Sequence, residues 1–347
     1  MDHEKSPLLS VIIPVYNAEE YVEDCIRSVF NQGIENIEII CVDDGSSDNS
    51  VAVLQKLAAQ EPRIQVVCQE NRSAGAARNH GMKYARGTYV HFLDADDRVC
   101  DGIYQKAIEK LESTGADACV FQYVFYDNST GEEIPCPCLL NGRERITTFR
   151  QEPAFFMYNM VAPWNKLYRR AWMKQHDMWF DEIHCGNDRG FYYRSLAAGG
   201  TMVLCMDHGV AYRVKNAKAL TGTNRYRHLD SLFFAWDTSI TALEGESKAV
   251  QAMLLDCAVK DLLFVFDQAP REKRDELVAQ LGGRFGQVDF SVIEALPFPY
   301  AWGKAVEQIR QGNDPGRKRS VGDRIKKLIA MKQIWGIRGC IVKLLAR

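Results

Sequence analysis

Short β-branched apolar runs alternate one by one with helix-period stretches across the first 125 residues, and few folds accept that pattern. The runs are Leu9–Val15, Ile37–Val42, Ile64–Cys68, Thr88–Leu93 and Ala118–Phe125. Between the first two, Ala18, Tyr21, Val22, Cys25, Ile26, Val29 and Phe30 recur at helical spacing. Asn17 stands as the N-cap, with Glu19 and Glu20 in the first turn. Further helices are predicted over 49–60, 74–84 and 102–113. Strands joined through single helices run parallel, because a tight turn cannot return the chain to the end it came from. The expected fold is α/β, a doubly wound, mostly parallel sheet.

Such a sheet binds ligands outside the carboxyl ends of its strands. Three strand ends there read Pro14-Val15-Tyr16-Asn17, Asp43-Asp44-Gly45-Ser46 and Asp94-Ala95-Asp96-Asp97. Adjacent carboxylates stay ionised together only beside a cation or strong donors. Hard oxygen ligands select Mg²⁺ or Mn²⁺, and such an ion takes part of its shell from substrate phosphates. A metal bridging this cluster to a diphosphate is one reading, and a solvated acidic turn is the other. Asp44 is placed to accept the N3–H of a uracil ring, while Ser46 and Asp48 suit helix capping. Arg78, in the small-residue helix start Ala74-Gly75-Ala76-Ala77-Arg78-Asn79, suits a diphosphate or the carboxylates themselves, or else a structural ion pair.

Charge divides the chain. The net charge is -2, yet residues 316–347 hold ten Lys or Arg against one acid, Asp323, which leaves the body near -11. An acidic body argues against nucleic acid as a partner. The tail interleaves its basic residues with Ile325, Leu328, Ile329, Trp335, Ile341, Leu344 and Leu345, the composition of a helix lying on an anionic membrane surface. A helix packed on the acidic body is the alternative. Eleven scattered cysteines without zinc spacing imply free thiols in a reducing compartment. The start MDHEKSPLL does not read as a signal peptide, and no apolar run reaches the roughly 18–20 residues of a spanning helix. The expected location is cytoplasmic, peripheral on the inner face of the cell membrane.

Beyond residue 125 the pattern loosens. Residues 127–149 (DNSTGEE, PCPC, NGRER) read as a long connection, and residues 155–213 mix polar and aromatic types. Apolar stripes through Leu229–Leu243 and Val250–Phe266 predict helices, and Asn313-Asp314-Pro315-Gly316 a linker. The expected organisation is a domain over 1–225 (halves 1–125 and 126–225), a helical extension over 226–315 and the basic tail over 316–347.

The ordered strings LSVIIPVYNAEEY (9–21), CVDDGSSDNS (41–50), ENRSAGAARNHG (70–81), YVHFLDADD (89–97), APWNKLYRR (162–170), GNDRGF (186–191) and AYRVKNAKALT (211–221) resemble the family-2 glycosyltransferases. The resemblance covers about the first 225 residues and implies the GT-A fold and an inverting, metal-dependent transferase. It implies that Pro14, Tyr16, Asp44 and Arg78 contact the nucleoside diphosphate. Asp94 and Asp96 fall on the family's DxD, with Asp96 the direct metal contact and Mn²⁺ or Mg²⁺ the cofactor. Asp188 falls on the catalytic base. Typical relatives carry Glu before that Asp, and here Asn187 replaces it, which puts acceptor choice or rate in question. The expected donor is a UDP-sugar, and the acceptor a glycan or lipid-linked hydroxyl in surface polysaccharide synthesis. Trp164, Tyr168 and Trp179 are candidate acceptor-stacking rings, with a core role as the alternative. A catalytically silent sugar-nucleotide-binding relative and a nucleotidyltransferase are the competing readings. The latter lacks the glycine-rich basic loop it would need after Val15.

Overall fold

The computed structural model describes residues 6–136, 143–158, 161–214, 225–295 and 303–315. The basic tail 316–347, with the interfacial helix expected of it, lies outside the described residues. The chain divides into two compact units, one of Met1–Gln151 with Met160–Asn216, the other of Glu152–Asn159 with Ala217–Arg347.

The first unit holds a ten-stranded sheet. Its elements begin β1 (Leu9–Val15), α1 (Val22–Phe30), β2 (Ile37–Asp43), α2 (Ser50–Gln60), β3 (Ile64–Cys68), α3 (Ala74–Tyr84) and β4 (Tyr89–Phe92). They continue with β5 (Arg98–Val99), α4 (Ile103–Thr114), β6 (Ala118–Asp127), β7 (Glu133–Pro135) and β8 (Arg145–Thr148). After α5 (Pro153–Tyr158), which belongs to the second unit, come β9 (Lys166–Arg169), α6 (Arg170–Gln175), α7 (Asn187–Ala197) and β10 (Thr201–Val214). The strand order is β3-β2-β1-β4-β9-β6-β10-β5, with β7 beside β6 and β8 beside β10.

β1 pairs in parallel with β2 and with β4, so the connections wind first one way and then the other about β1. In sheets of this kind, such a reversal marks the carboxyl ends of the strands beside it, here β1 and β4, as the place for a ligand. Pro14 is tolerated inside a central strand because the β1–β4 ladder ends at Ile12 paired with Phe92. The core of this unit is the apolar set of β1, β2, α1 and α4, including Val11, Ile13, Val22, Ile26, Ile39 and Leu111. Each such side chain contributes about 1.5–3 kcal/mol through burial.

Three local expectations are corrected. Asn17 does not cap α1. It takes φ 49° and its Oδ1 accepts from Ser47 N (2.8 Å), while Ala18 N donates to Ser50 Oγ (2.8 Å) and Glu19 N to Asp48 Oδ2 (3.1 Å). The loop after β2 takes these donors, and α1 starts at Val22. Residues 127–149 are not one long connection, since they contain β7 and β8. The mixed segment 155–213 contains β9, antiparallel between β4 and β6, and β10, parallel to β6. Here strand pairing overrides a sequence with no clean alternation.

The second unit is helical: α5, α8 (Leu229–Ala242), α9 (Lys248–Gln268), α10 (Arg274–Gly286) and α11 (Gly303–Arg310). α9 buries Val250, Met253, Leu254, Val259, Leu262 and Phe266, and Ser247 caps it by accepting from Val250 N. Asp261 of α9 accepts from Arg225 (3.1 Å) and from Trp236 Nε1 (3.2 Å). Among the described residues no helix is long and apolar enough to cross a membrane, and nine cysteines are free thiols.

Candidate functional site

The strand ends meet as the periodicity required. Tyr16 follows β1 with about half of its surface exposed (52 %). Asp44, 4 % exposed, follows β2, and its carboxylate accepts from Gln69 Nε2 (2.7 Å), Arg72 N (2.8 Å) and Ser73 N (2.9 Å). An ionised carboxylate offers about four lone-pair positions, so these donors leave room for one more. Neighbouring Asp43 turns Oδ2 to Gly45 N and Ser46 N, both at 3.1 Å, while its buried Oδ1 has no hydrogen-bond partner.

α3 begins at this point. Ser73 caps it through Oγ to Ala76 N (3.3 Å) and holds φ 127°, a conformation rare outside glycine. One turn on, Arg78 is buried. Its Nη2 donates to Asp94 Oδ1 (2.6 Å), its Nη1 donates to Asn187 Oδ1 (2.8 Å), and its guanidinium lies 5.2 Å from the Phe180 ring centre. The structural ion pair considered for Arg78 is thus present, and its acid is the first residue of the acidic cluster. The two glycines that follow from this packing are Gly75 and Gly190. A Cβ on Gly75 would stand 2.2 Å from Asp181 O and 3.0 Å from Asn187 Cβ, and one on Gly190 would stand 1.9 Å from Asp181 Oδ2. Asn79 completes the clamp, donating to Phe180 O (2.9 Å) and accepting from Phe180 N (2.8 Å).

Arg213, at the end of β10, fixes the cluster from the other side. Its N donates to Asp97 Oδ1 (2.8 Å) and its Nε to Asp96 O (2.6 Å). Asp97 is buried, and its Oδ2 has no hydrogen-bond partner. Burial, then the charges of Asp96 and Asp94, push its carboxyl well above the ordinary range. Three carboxylates within four residues, one holding an orphaned buried oxygen, fit a divalent cation by donor chemistry. Among the described residues, the three potential ligand atoms that lie together are those of Glu144, Cys205 and Asp207, and that group is already neutralised by Lys110 (2.8 Å) and Lys106 (2.5 Å).

Asn187 and Asp188 form the first turn of α7, after Gly186. Asp188 is half-buried and lies inside the helix rather than at the cap position. Of the proposed stacking rings, Trp164 is a core residue (3 % exposed) stacked on Tyr212 at 5.2 Å, and Tyr168 is fully buried. Neither offers a face to an acceptor in this conformation, which corrects that expectation for both. Trp179, 39 % exposed, is the ring left open.

Sequence reasoning assigned no role to Arg213, Asn79, Asp43 or Lys166. Arg213 and Lys166 lie within the matched strings 211–221 and 162–170, and a charged residue closing or opening a buried strand was the available signal. Asn79 and Asp43 carried none, since their importance rests on a partner about 100 residues away and on an empty lone pair.

The profile described as Glycosyl transferase family 2 matches residues 10–177. The glycosyltransferase GlyG of Streptococcus pneumoniae is 37 % identical over 234 residues, covering 62 % of this chain and 73 % of GlyG. EpsJ of Bacillus subtilis, an uncharacterized glycosyltransferase, is 33 % identical over 224 residues, 62 % of this chain, and the chain spans only 63 % of that relative's length. The crystal structure of S. aureus TarS 1-349 in complex with UDP-GlcNAc shares the fold, with a TM-score of 0.69 at 17 % identity over 94 % of this chain and 91 % of that one.

Proposed function

This chain belongs to glycosyl transferase family 2, and from that premise we propose an inverting transfer from a UDP-sugar to a hydroxyl of a glycan or lipid-linked acceptor in surface polysaccharide synthesis. One observation carries the reading: Arg78 touches Asp94 of the acidic cluster and Asn187 beside Asp188. The leaving-group side and the acceptor side of a displacement thereby share one guanidinium.

In this reading Asp44, with three internal donors and one free position, takes the uracil N3–H, and Pro14 and Tyr16 border the nucleoside. Asp94 and Asp96 are the residues that would hold Mn²⁺ or Mg²⁺, which would supply charge stabilisation to the departing diphosphate. Arg78 adds fixed positive charge at the same place, already oriented before substrate arrives. Asp188 accepts the proton of the acceptor hydroxyl as that oxygen attacks the anomeric carbon from the face opposite the diphosphate. Asn187 and Trp179 border the acceptor. TarS, which has the same fold, was crystallised with UDP-GlcNAc, and this supports beginning with that donor.

The test is a donor panel with Mn²⁺, reading release of UDP from wild type, Asp96→Ala and Asp188→Asn. Both variants lose transfer, and Asp188→Asn still binds UDP. Loss of UDP binding in Asp188→Asn overturns the base assignment, and no release from any donor, with or without acceptor, leaves a sugar-nucleotide-binding module. The basic segment 316–347 extends the proposal to an enzyme docked on the inner, anionic face of the cell membrane. Binding to phosphatidylglycerol vesicles that survives deletion of 316–347 refutes that part.

A further inference from the structure

β9 exposes alternate faces to different surroundings. Leu167 joins the apolar core beside Trp164, whereas Lys166 and Tyr168 point the other way. Lys166 is 2 % exposed, and long charged side chains are almost never buried so fully without a partner. Its Nζ donates to Ala162 O (2.8 Å) and Asn165 Oδ1 (2.7 Å) and stands 5.0 Å from the ring centre of Tyr192. Tyr192 lies four residues after Asp188 on α7, so the two share a helix face. Tyr168 packs on the same helix through Phe191, ring centres 5.6 Å apart, and its buried hydroxyl has no hydrogen-bond partner. The ammonium is therefore pressed against the helix face that carries Asp188.

The other groups around Lys166 are weak competitors for it. Tyr192 and Tyr168 are neutral phenols, and burial pushes the Tyr168 hydroxyl further up. Val120 of β6 is the cross-strand neighbour of Lys166, and His91 of β4 stands opposite Leu167, with its ring nitrogens on Tyr104 Oη and Trp164 O. Burial pulls the Lys166 amine down to about 7, and Asp188 is the charge that pushes it back up.

We propose that Lys166 is a positioning residue for Asp188: its amine, held on Ala162 O and Asn165 Oδ1 against the Tyr192 face of α7, fixes the orientation of the Asp188 carboxylate. The inference rests on Asp188 as the base. The metal and the guanidinium act on the leaving group, and Lys166 acts behind the group that receives the proton.

Interactions between two titrating groups are reciprocal, so each can be read from its partner. The test follows the lysine Cε and Nζ resonances of labelled full-length protein by NMR against pH. The Lys166 signal is identified by its loss in Lys166→Arg or Lys166→Met. In Asp188→Asn the Lys166 midpoint falls by about one pH unit or more, the size of effect an opposite charge within 4–6 Å produces. An unchanged midpoint in folded Asp188→Asn overturns the proposal, and this arm holds even where a Lys166 variant fails to fold. UDP release by Asp188→Asn separates the two ideas. A shifted midpoint with transfer intact keeps the pairing and removes the base, whereas an unshifted midpoint with transfer lost keeps the base and removes the role of Lys166.

Discussion

Asn187 Oδ1 accepts a 2.8 Å hydrogen bond from Arg78 Nη1, joining residues 109 apart in sequence. The same guanidinium holds Asp94, so the residue preceding Asp188 is two hydrogen bonds from the acidic cluster. An amide at this position shares the guanidinium without neutralising it, whereas a carboxylate would take part of its charge.

That contrast predicts the outcome of Asn187→Glu. A carboxylate beside Arg78 competes with the incoming diphosphate, and affinity for UDP falls about five- to thirtyfold, the factor that 1–2 kcal/mol carries. Isothermal titration with UDP and Mn²⁺ reads the change. Unchanged affinity means that Arg78 does not face the diphosphate.

Arg78→Lys should be severe despite keeping the charge. A single ammonium cannot span Asp94 and Asn187 in the fixed fork that guanidinium supplies. UDP release slows roughly tenfold or more, because one charge-assisted hydrogen bond is lost and its acceptor stays half-buried. Kinetics of the folded variant check this, and wild-type rates would assign Arg78 to structure alone.

Gly75→Ala inserts a methyl where Asp181 O and Asn187 Cβ already stand. The backbone of the 181–187 segment must move away from α3, at a cost of about 1–3 kcal/mol in stability. Chemical denaturation measures that loss, and transfer falls further than stability because the displaced segment leads directly into Asp188. A variant as stable as wild type would show that the segment yields freely.

Two buried groups predict how stability depends on pH. Burial pulls His91 down to about 4 from an ordinary value of 6.5, and Lys166 down to about 7 from 10.5. In both cases the unfolded chain binds the proton more tightly. Stability therefore rises with pH from about 4 to 6.5 through His91 and from about 7 to 10.5 through Lys166, by at most about 1.4 kcal/mol per pH unit for each group. Urea midpoints measured across pH 7–9 should climb in wild type and flatten in Lys166→Met. Parallel profiles would place the effect elsewhere.

Periodicity was enough for the parallel half of the sheet. In β1 and β2 apolar residues fill most of the strand, because both faces are covered, and such runs announce themselves. β9 and β10 did not, since β9 alternates a buried lysine and tyrosine with Leu167, and only pairing with β4 and β6 makes KLYR a strand. Asn17 misled for a related reason: its amide is a good cap locally, yet it bonds a loop 30 residues away. Trp164 and Trp179 are the same residue type, and their burial, not their identity, separates core from surface.

The sequence by itself determined which strand ends lie together, the order of the motifs, and where the acidic residues cluster. Those follow from hydrophobic period and from the chemistry of residues close together in the chain. Tertiary structure decided what each acid and base is attached to. Arg78 reaches Asp94 and Asn187, Arg213 reaches Asp96 and Asp97, and Lys166 lies against the helix of Asp188. The Arg78–Asn187 and Arg213 contacts join residues more than 100 apart in sequence, and a side chain's charge acts over a few ångströms of space whatever the separation along the chain.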